Sequence, residues 1–198
     1  FGQINQHFKK IDYFVALNGT ITSQYRNGIF RNGLTPNNSE GKSKQFNYFN
    51  YAVKAGLTYK ITGRHYVFAS GTYFTKAPFW DNVFLSPRNT NRASDPGSEK
   101  VGSVEAGYIY TSPKLKLRAE GFYTDFKNGS NTLTYYDDVL NSFGTYTLTN
   151  INKIHLGGES GLEAQVYKGL SVSFAAAIGK YYFSSRQDGT ITADNSPD

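Results

Sequence analysis

Cysteine and methionine are both absent from the 198 residues, tryptophan occurs once, and no apolar run approaches the ~20 residues that a membrane helix needs. The first absence excludes a disulfide framework, a thiolate metal site and a cysteine nucleophile, and leaves the redox compartment open. The last excludes a spanning helix. Only three histidines occur (His7, His65, His155), far apart in sequence, so they suggest neither a metal site nor a catalytic triad. A net charge of +6 could point to nucleic acid, but the basic residues are scattered and Lys9-Lys10 is the only adjacent pair. Nucleic acid is therefore not an expected partner, and no cofactor, metal or enzymatic activity is expected. A chain starting at Phe1 without a signal-peptide pattern reads as a mature segment or a fragment.

What the chain has is aromatic residues, 16 Tyr and 15 Phe, in a sequence of mean hydropathy −0.50. Such a chain suits a bilayer if apolar and polar residues alternate, because a barrel strand shows lipid only every second side chain. From Ile11, the odd positions read Ile11, Tyr13, Val15, Leu17, while the even ones read Asp12, Phe14, Ala16, Asn18. This period of two persists for about fifteen residues, far beyond an ordinary globular strand. Residues 49–60 repeat it, and 66–75, 100–111, 114–127, 154–166 and 170–183 follow. These segments predict seven strands and no convincing helix. Residues 1–5 add the end of a preceding strand, with a turn over 6–10.

The connections sort by length. Thr62-Gly63, Ser112-Pro113 and 167–169 are tight turns, whereas 27–45, 76–99 and 128–153 are long loops, and the two kinds alternate. Outer-membrane barrels have short periplasmic turns and long extracellular loops, whereas a soluble sandwich has no reason to sort them. Ten strand steps from Phe49 to Tyr59, at ~3.3 Å each and a tilt of ~40°, span about 25 Å, the height of the apolar band. The fold class is therefore all-β, an antiparallel transmembrane β-barrel segment of about seven strands.

The turns predict a register. Across Ser112-Pro113, Tyr110 should face Leu115, Tyr108 face Leu117, and Glu105 face Glu120. Across 167–169, Val166 meets Leu170, Ala164 meets Val172 and Leu162 meets Phe174. Across Thr62-Gly63, Tyr59 pairs with Tyr66, Leu57 with Phe68 and Tyr51 with Phe74. Seven strands leave two open edges, which lipid does not tolerate, so residues 1–198 read as part of a larger barrel cut at both ends. The tail after Ser184 reads as an extracellular loop with no return strand.

Several segments resemble the C-terminal half of the barrel of TonB-dependent outer-membrane receptors. Tyr73-Phe74-Thr75-Lys76-Ala77-Pro78 resembles the family's aromatic, small, Arg/Lys, Ala, Pro signature at a strand exit. Ser98-Glu99-Lys100-Val101-Gly102-Ser103-Val104-Glu105-Ala106-Gly107-Tyr108 resembles its Tyr-Glu-Leu-Gly-Tyr strand, and residues 119–128 resemble the strand that follows. Residues 150–153, Gly161-Leu162-Glu163-Ala164 and Lys168-Gly169-Leu170 resemble its late Gly-Val-Glu hairpin. Leu85-Ser86-Pro87-Arg88 departs from the pattern where Pro-Glu is common, and Ser160 departs before Gly161. The resemblance implies a bacterial outer-membrane importer of a scarce nutrient, whether siderophore, vitamin, glycan or peptide. Its partners would be membrane lipid, its own plug domain and the TonB complex, both outside this chain. A passive porin or structural barrel is the alternative.

Candidate ligand contacts lie in the loops: Lys76, Phe79, Trp80, Arg88 and Arg92, with Tyr135 and Tyr136. Aromatic rings with Arg bind sugars, peptides or chelates, or they pack the loops together or meet a surface lipoprotein lid. Lys54, Glu105, Arg118, Glu120, Glu159 and Glu163 fall on the polar face, towards lumen water or a plug. Glu105 and Glu120 could form an acid/base pair, but no pocket or partner accompanies them.

Overall fold

Alternation over more than ten residues leaves the chain one way to hide its apolar side chains, a sheet with one dry face. The computed structural model describes residues 1–33, 35–93, 97–139 and 141–193. Its strands are β1 (Gly2–His7), β2 (Ile11–Gln24), β3 (Asn27–Gly28), β4 (Gly41–Lys42), β5 (Phe46–Lys60), β6 (His65–Lys76), β7 (Glu99–Thr111), β8 (Leu115–Asp137), β9 (Ser142–Tyr167), β10 (Leu170–Phe183) and β11 (Asp188–Ala193), with one helical turn, α1 (Trp80–Val83). A single antiparallel sheet runs β1-β2-β5-β6-β7-β8-β9-β10, and β11 also pairs with β9. The ribbon β3-β4 lies within the first long loop. All seven expected strands are present, and β1 with its Lys9-Lys10 turn is the expected preceding strand.

The register settles which side chains share a face. One transverse row runs Tyr13, Leu57, Ala69, Ala106, Gly121, Gly158, Ile178, and the next runs Val15, Ala55, Gly71, Val104, Tyr123, Leu156. Nothing covers this face, so Leu17 is 56% exposed and Ile178 81%. The opposite face carries Asp12, Lys54, Glu105, Arg118, Glu120, Glu159 and Glu163. The described residues include no helix long and apolar enough to cross a membrane, which says nothing against a crossing by strands.

Glycines on the polar face lock the sheet. Phe14 lies over Gly56, Phe68 over Gly107 and Phe122 over Gly157, each a direct cross-strand pair. A Cβ on Gly107 would stand 2.7 Å from the Phe68 ring and 2.6 Å from the Ala119 carbonyl oxygen. Each ring occupies the space that the glycine leaves, which pins register at three hairpins.

Four expectations need correction. Between β7 and β8, Tyr110 pairs with Leu117, Tyr108 with Ala119 and Glu105 with Phe122, two residues away from the expected partners. Ser112 and Leu115 exchange the closing hydrogen bonds, so the tip is Pro113-Lys114; an even shift keeps every side chain on its face. Between β5 and β6 the shift is one. Leu57 pairs with Ala69, Tyr59 with Val67 and Val53 with Tyr73, which places Tyr66, Phe68 and Phe74 on the polar face. The cause is a three-residue tip, 62–64, whose Thr62 hydroxyl accepts from the backbone N–H of Arg64 and His65. The expected loop 128–153 is instead an extension of β8 and β9, rich in β-forming Thr and Tyr, past a register break flanked by Asn128 (φ 60°) and Asn150 (φ 55°). Finally, the chain after Ser184 does not leave the sheet, because β11 continues along the upper half of β9; residues 194–198 lie outside the described part. The β9-β10 register is as expected at Ala164–Val172 and Leu162–Phe174, and only the tip differs, where Leu170 pairs with Tyr167.

Two outcomes test this arrangement in the intact barrel, measured by denaturant titration of folding into vesicles. Ala69→Arg, on the apolar face, should cost about 2–4 kcal/mol, while Ser70→Arg, beside Glu105, should cost far less; equal losses would contradict the one-residue shift. Gly107→Ala should cost about 1–3 kcal/mol through the clash with Phe68, whereas Gly161→Ala, with open space around it, should not.

Candidate functional site

Polar-face side chains meet across strands at mid-height. The Arg118 guanidinium holds Glu120, with Nε donating to Oε2 at 2.7 Å and Nη2 at 2.5 Å, and stacks 4.8 Å over Phe68. Glu120 stands directly opposite Glu159 on β9. Glu105, by contrast, faces Phe122 and accepts a 2.7 Å bond from Ser70 Oγ, so the expected Glu105–Glu120 pair does not form. Lys116 reaches Glu163 at 3.3 Å, and Lys54 lies 5.8 Å over Phe14. The result is a strip of mixed charge that can bind water or a polar partner. Among the described residues no three metal-ligating side chains come together.

Above the sheet the loops form a layer with its own small core. Val83, Phe84, Leu85 and Ala93 are nearly inaccessible to solvent, and they join the second loop to the first and to the β8-β9 extension. Arg26 is the hub. Its Nη1 donates to the Ser39 carbonyl at 2.7 Å, and its Nε and Nη2 donate to the Pro87 carbonyl at 3.1 and 2.9 Å. Burial lowers its pKa from the usual arginine range, and the three carbonyl contacts offset part of that desolvation. Further ties run from Gln24 Nε2 to Pro78 O, from Asn82 Nδ2 to Ser130 O and from Thr145 Oγ1 to Leu85 O. Arg26 drew no attention in the sequence. The signal was a lone arginine at the last even position of the alternation that begins at Ile11, too common a pattern to be read as a buried hub.

The expected loop contacts divide into groups. Lys76 lies 4.2 Å over Phe79, and both line a cavity of about 400 Å³ beneath the second loop with Asn82, Asn128 and Lys153. Trp80 stacks on Phe84 at 5.0 Å, donates to Tyr25 O, and shares a more open cleft with Phe30, Arg31 and Arg88. Arg88 also lies 4.1 Å over Phe143, and Arg92 5.0 Å over Phe46. Tyr136 packs edge-on against Phe143, and Tyr135 covers Gly144. The structure thus brings Lys76 to Phe79 and Trp80 to Arg88, and it uses Arg92, Tyr135 and Tyr136 to hold loops and hairpin together.

No family model matches the chain, and no curated protein is similar to it in sequence. Among solved structures, one described as copper transporter OprC is similar in fold, with a TM-score of 0.67 over 94% of this chain at 18% identity. The chain spans 28% of the length of that protein. The likeness concerns fold, an antiparallel sheet resembling that of an outer-membrane barrel protein.

Replacing Arg26 by Gln leaves the Ser39 and Pro87 carbonyls short of donors and should cost the loop layer about 2–3 kcal/mol. Limited proteolysis of cells bearing the full protein should cut the first two loops faster, while heat-modifiable migration of the barrel on gels stays normal. Unchanged cleavage would remove Arg26 from its place as hub.

Proposed function

We propose that this chain is part of the wall of a larger bacterial outer-membrane barrel, and that the whole protein imports a scarce nutrient through a plugged lumen driven by TonB. The observation that carries the transport reading is the two-sided sheet, dry and uncovered on one face and charged on the other, beneath loops that fold into a layer with a cavity at its base. In hydrocarbon the free edges of β1 and β10 must be paired, so further strands complete the wall. The charged strip of Arg118, Glu120 and Glu159 suits a water-filled lumen or the polar surface of a plug. The plug and TonB coupling rest on the resemblance of the segments from Tyr73-Phe74-Thr75-Lys76-Ala77-Pro78 onward.

The substrate stays at the level of class, a siderophore, vitamin, glycan or peptide. Copper is not carried over from the structural neighbour, because a likeness at 18% identity over 28% of that protein's length concerns the fold. A surface lipoprotein seated over the loops is the partner that the exposed Ile29 and Phe30 would suit.

The test is uptake of a panel of labelled ferric siderophores, cobalamin, oligosaccharides and oligopeptides by cells with and without the whole protein. One class should enter only when it is present, and a protonophore should abolish that entry. Uptake that persists at the same rate after the proton-motive force collapses would replace the plugged importer with a passive channel.

A further inference from the structure

On β7 and β8 the outward face does not end in apolar residues at its upper margin, whereas on β2 and β5 Ile21 and Phe49 close it. Lys100 on β7 and Lys127 on β8 are direct cross-strand partners, and their parity places both on the face of Val104, Ala106, Leu117 and Tyr123. Ten steps separate Lys100 from Tyr110 at the lower end of the same face, or about 25 Å of height at the usual strand tilt. The lysines therefore stand at the upper edge of the apolar band, where hydrocarbon gives way to headgroups. On β10, Lys180 is outward too, two rows lower, and its Nζ lies 5.4 Å from the centre of the Tyr182 ring, reaching upward.

Two ammonium groups directly opposite each other on a sheet repel, and a stable wall needs an anion between them. Among the described residues the carboxylate beside them on this face is Asp125, which holds Lys127 at 3.0 Å. Lys100 stands across from Thr75 on its other side, and Tyr51 and Tyr73, 5.9 Å apart, flank it with phenol groups. Two cations against one carboxylate leave an excess of positive charge beside hydroxyls, facing lipid.

We propose that Lys100 and Lys127 form a seat for the phosphate of an anionic lipid headgroup in the outer leaflet. The hydrogen-bonded Tyr51–Tyr73 pair keeps one hydroxyl proton to donate to its oxygens, and the lipid chains lie along the small-residue surface of Gly71, Ala106 and Gly121. The inference rests on the wall crossing a bilayer and not on what the barrel imports.

The test uses the whole barrel in phosphatidylcholine vesicles, with a fluorophore on a cysteine introduced as Val104→Cys, outward and below Lys100. Chain-brominated phosphatidic acid or chain-brominated phosphatidylcholine is added at equal mole fraction. Phosphatidic acid should quench the fluorophore more strongly, and its apparent preference should fall about fivefold for each lysine in Lys100→Gln and Lys127→Gln. Lys9→Gln/Lys10→Gln, at the opposite end of the wall, should leave the preference unchanged, and heat-modifiable migration reports that each variant is folded. Equal quenching by the two lipids in the unsubstituted protein overturns the proposal, as does a preference that survives in the folded Lys100→Gln/Lys127→Gln protein. Loss of the preference on adding millimolar inorganic phosphate would show a site for free phosphate and overturn the lipid assignment. Failure of the uptake test leaves each of these outcomes intact.

Discussion

Every backbone N–H and C=O that enters hydrocarbon must be paired within the protein, and on the proposed membrane-wall reading the other features of this chain follow from that requirement. The strands are long because each must cross the apolar band without a break, and they are antiparallel neighbours because short turns can then join them. Alternation is a second consequence. Once the ladder is complete, side chains are the only chemistry that lipid and lumen meet, and one strand serves both with adjacent residues. The sheet accordingly has no sandwiched core, and the nearly inaccessible Val83, Phe84 and Leu85 lie outside it, in the loop layer.

Register is where this architecture is vulnerable, since a slip of one residue turns a face inside out. The Phe14–Gly56, Phe68–Gly107 and Phe122–Gly157 pairs act on that weakness directly. A ring that fits only over a residue without a Cβ penalises the neighbouring registers on the side where charges and water would otherwise permit sliding. The apolar face has no such device and needs none, because lipid accepts Leu57 or Ala69 at any height within the band.

How far the sequence could be read follows the same division. The seven strands, the two faces and the sorting of turns from loops are carried by periodicity, which depends on no partner, and they were legible. Registers depend on turn geometry, in which one residue decides, and Thr62 and Pro113-Lys114 set tips that composition does not reveal. The extension of β8 and β9 was hidden although Thr132-Leu133-Thr134-Tyr135 and Thr145-Tyr146-Thr147-Leu148 alternate, because each run is short and the breaks at Asn128 and Asn150 separate it from the longer strands. Aromatic and cationic loop residues stand out in the sequence as a group. Their division between the Lys76–Phe79 cavity and the packing of Arg92 on Phe46 depends on contacts across 46 residues of chain, a distance over which sequence pattern has no reach.

Five of the ties that fasten the loop layer share one trait: Arg26, Gln24, Asn82, Trp80 and Thr145 all bond to backbone carbonyls of other segments. A carbonyl is present whatever side chain its residue bears. The acceptor positions, among them Tyr25, Ser39, Leu85 and Ser130, are thus free of any demand that their side chains take part in the bond, and five donors carry the frame. A substitution at one of these acceptor positions can therefore change the loop surface without removing the bond that fixes the shape beneath it.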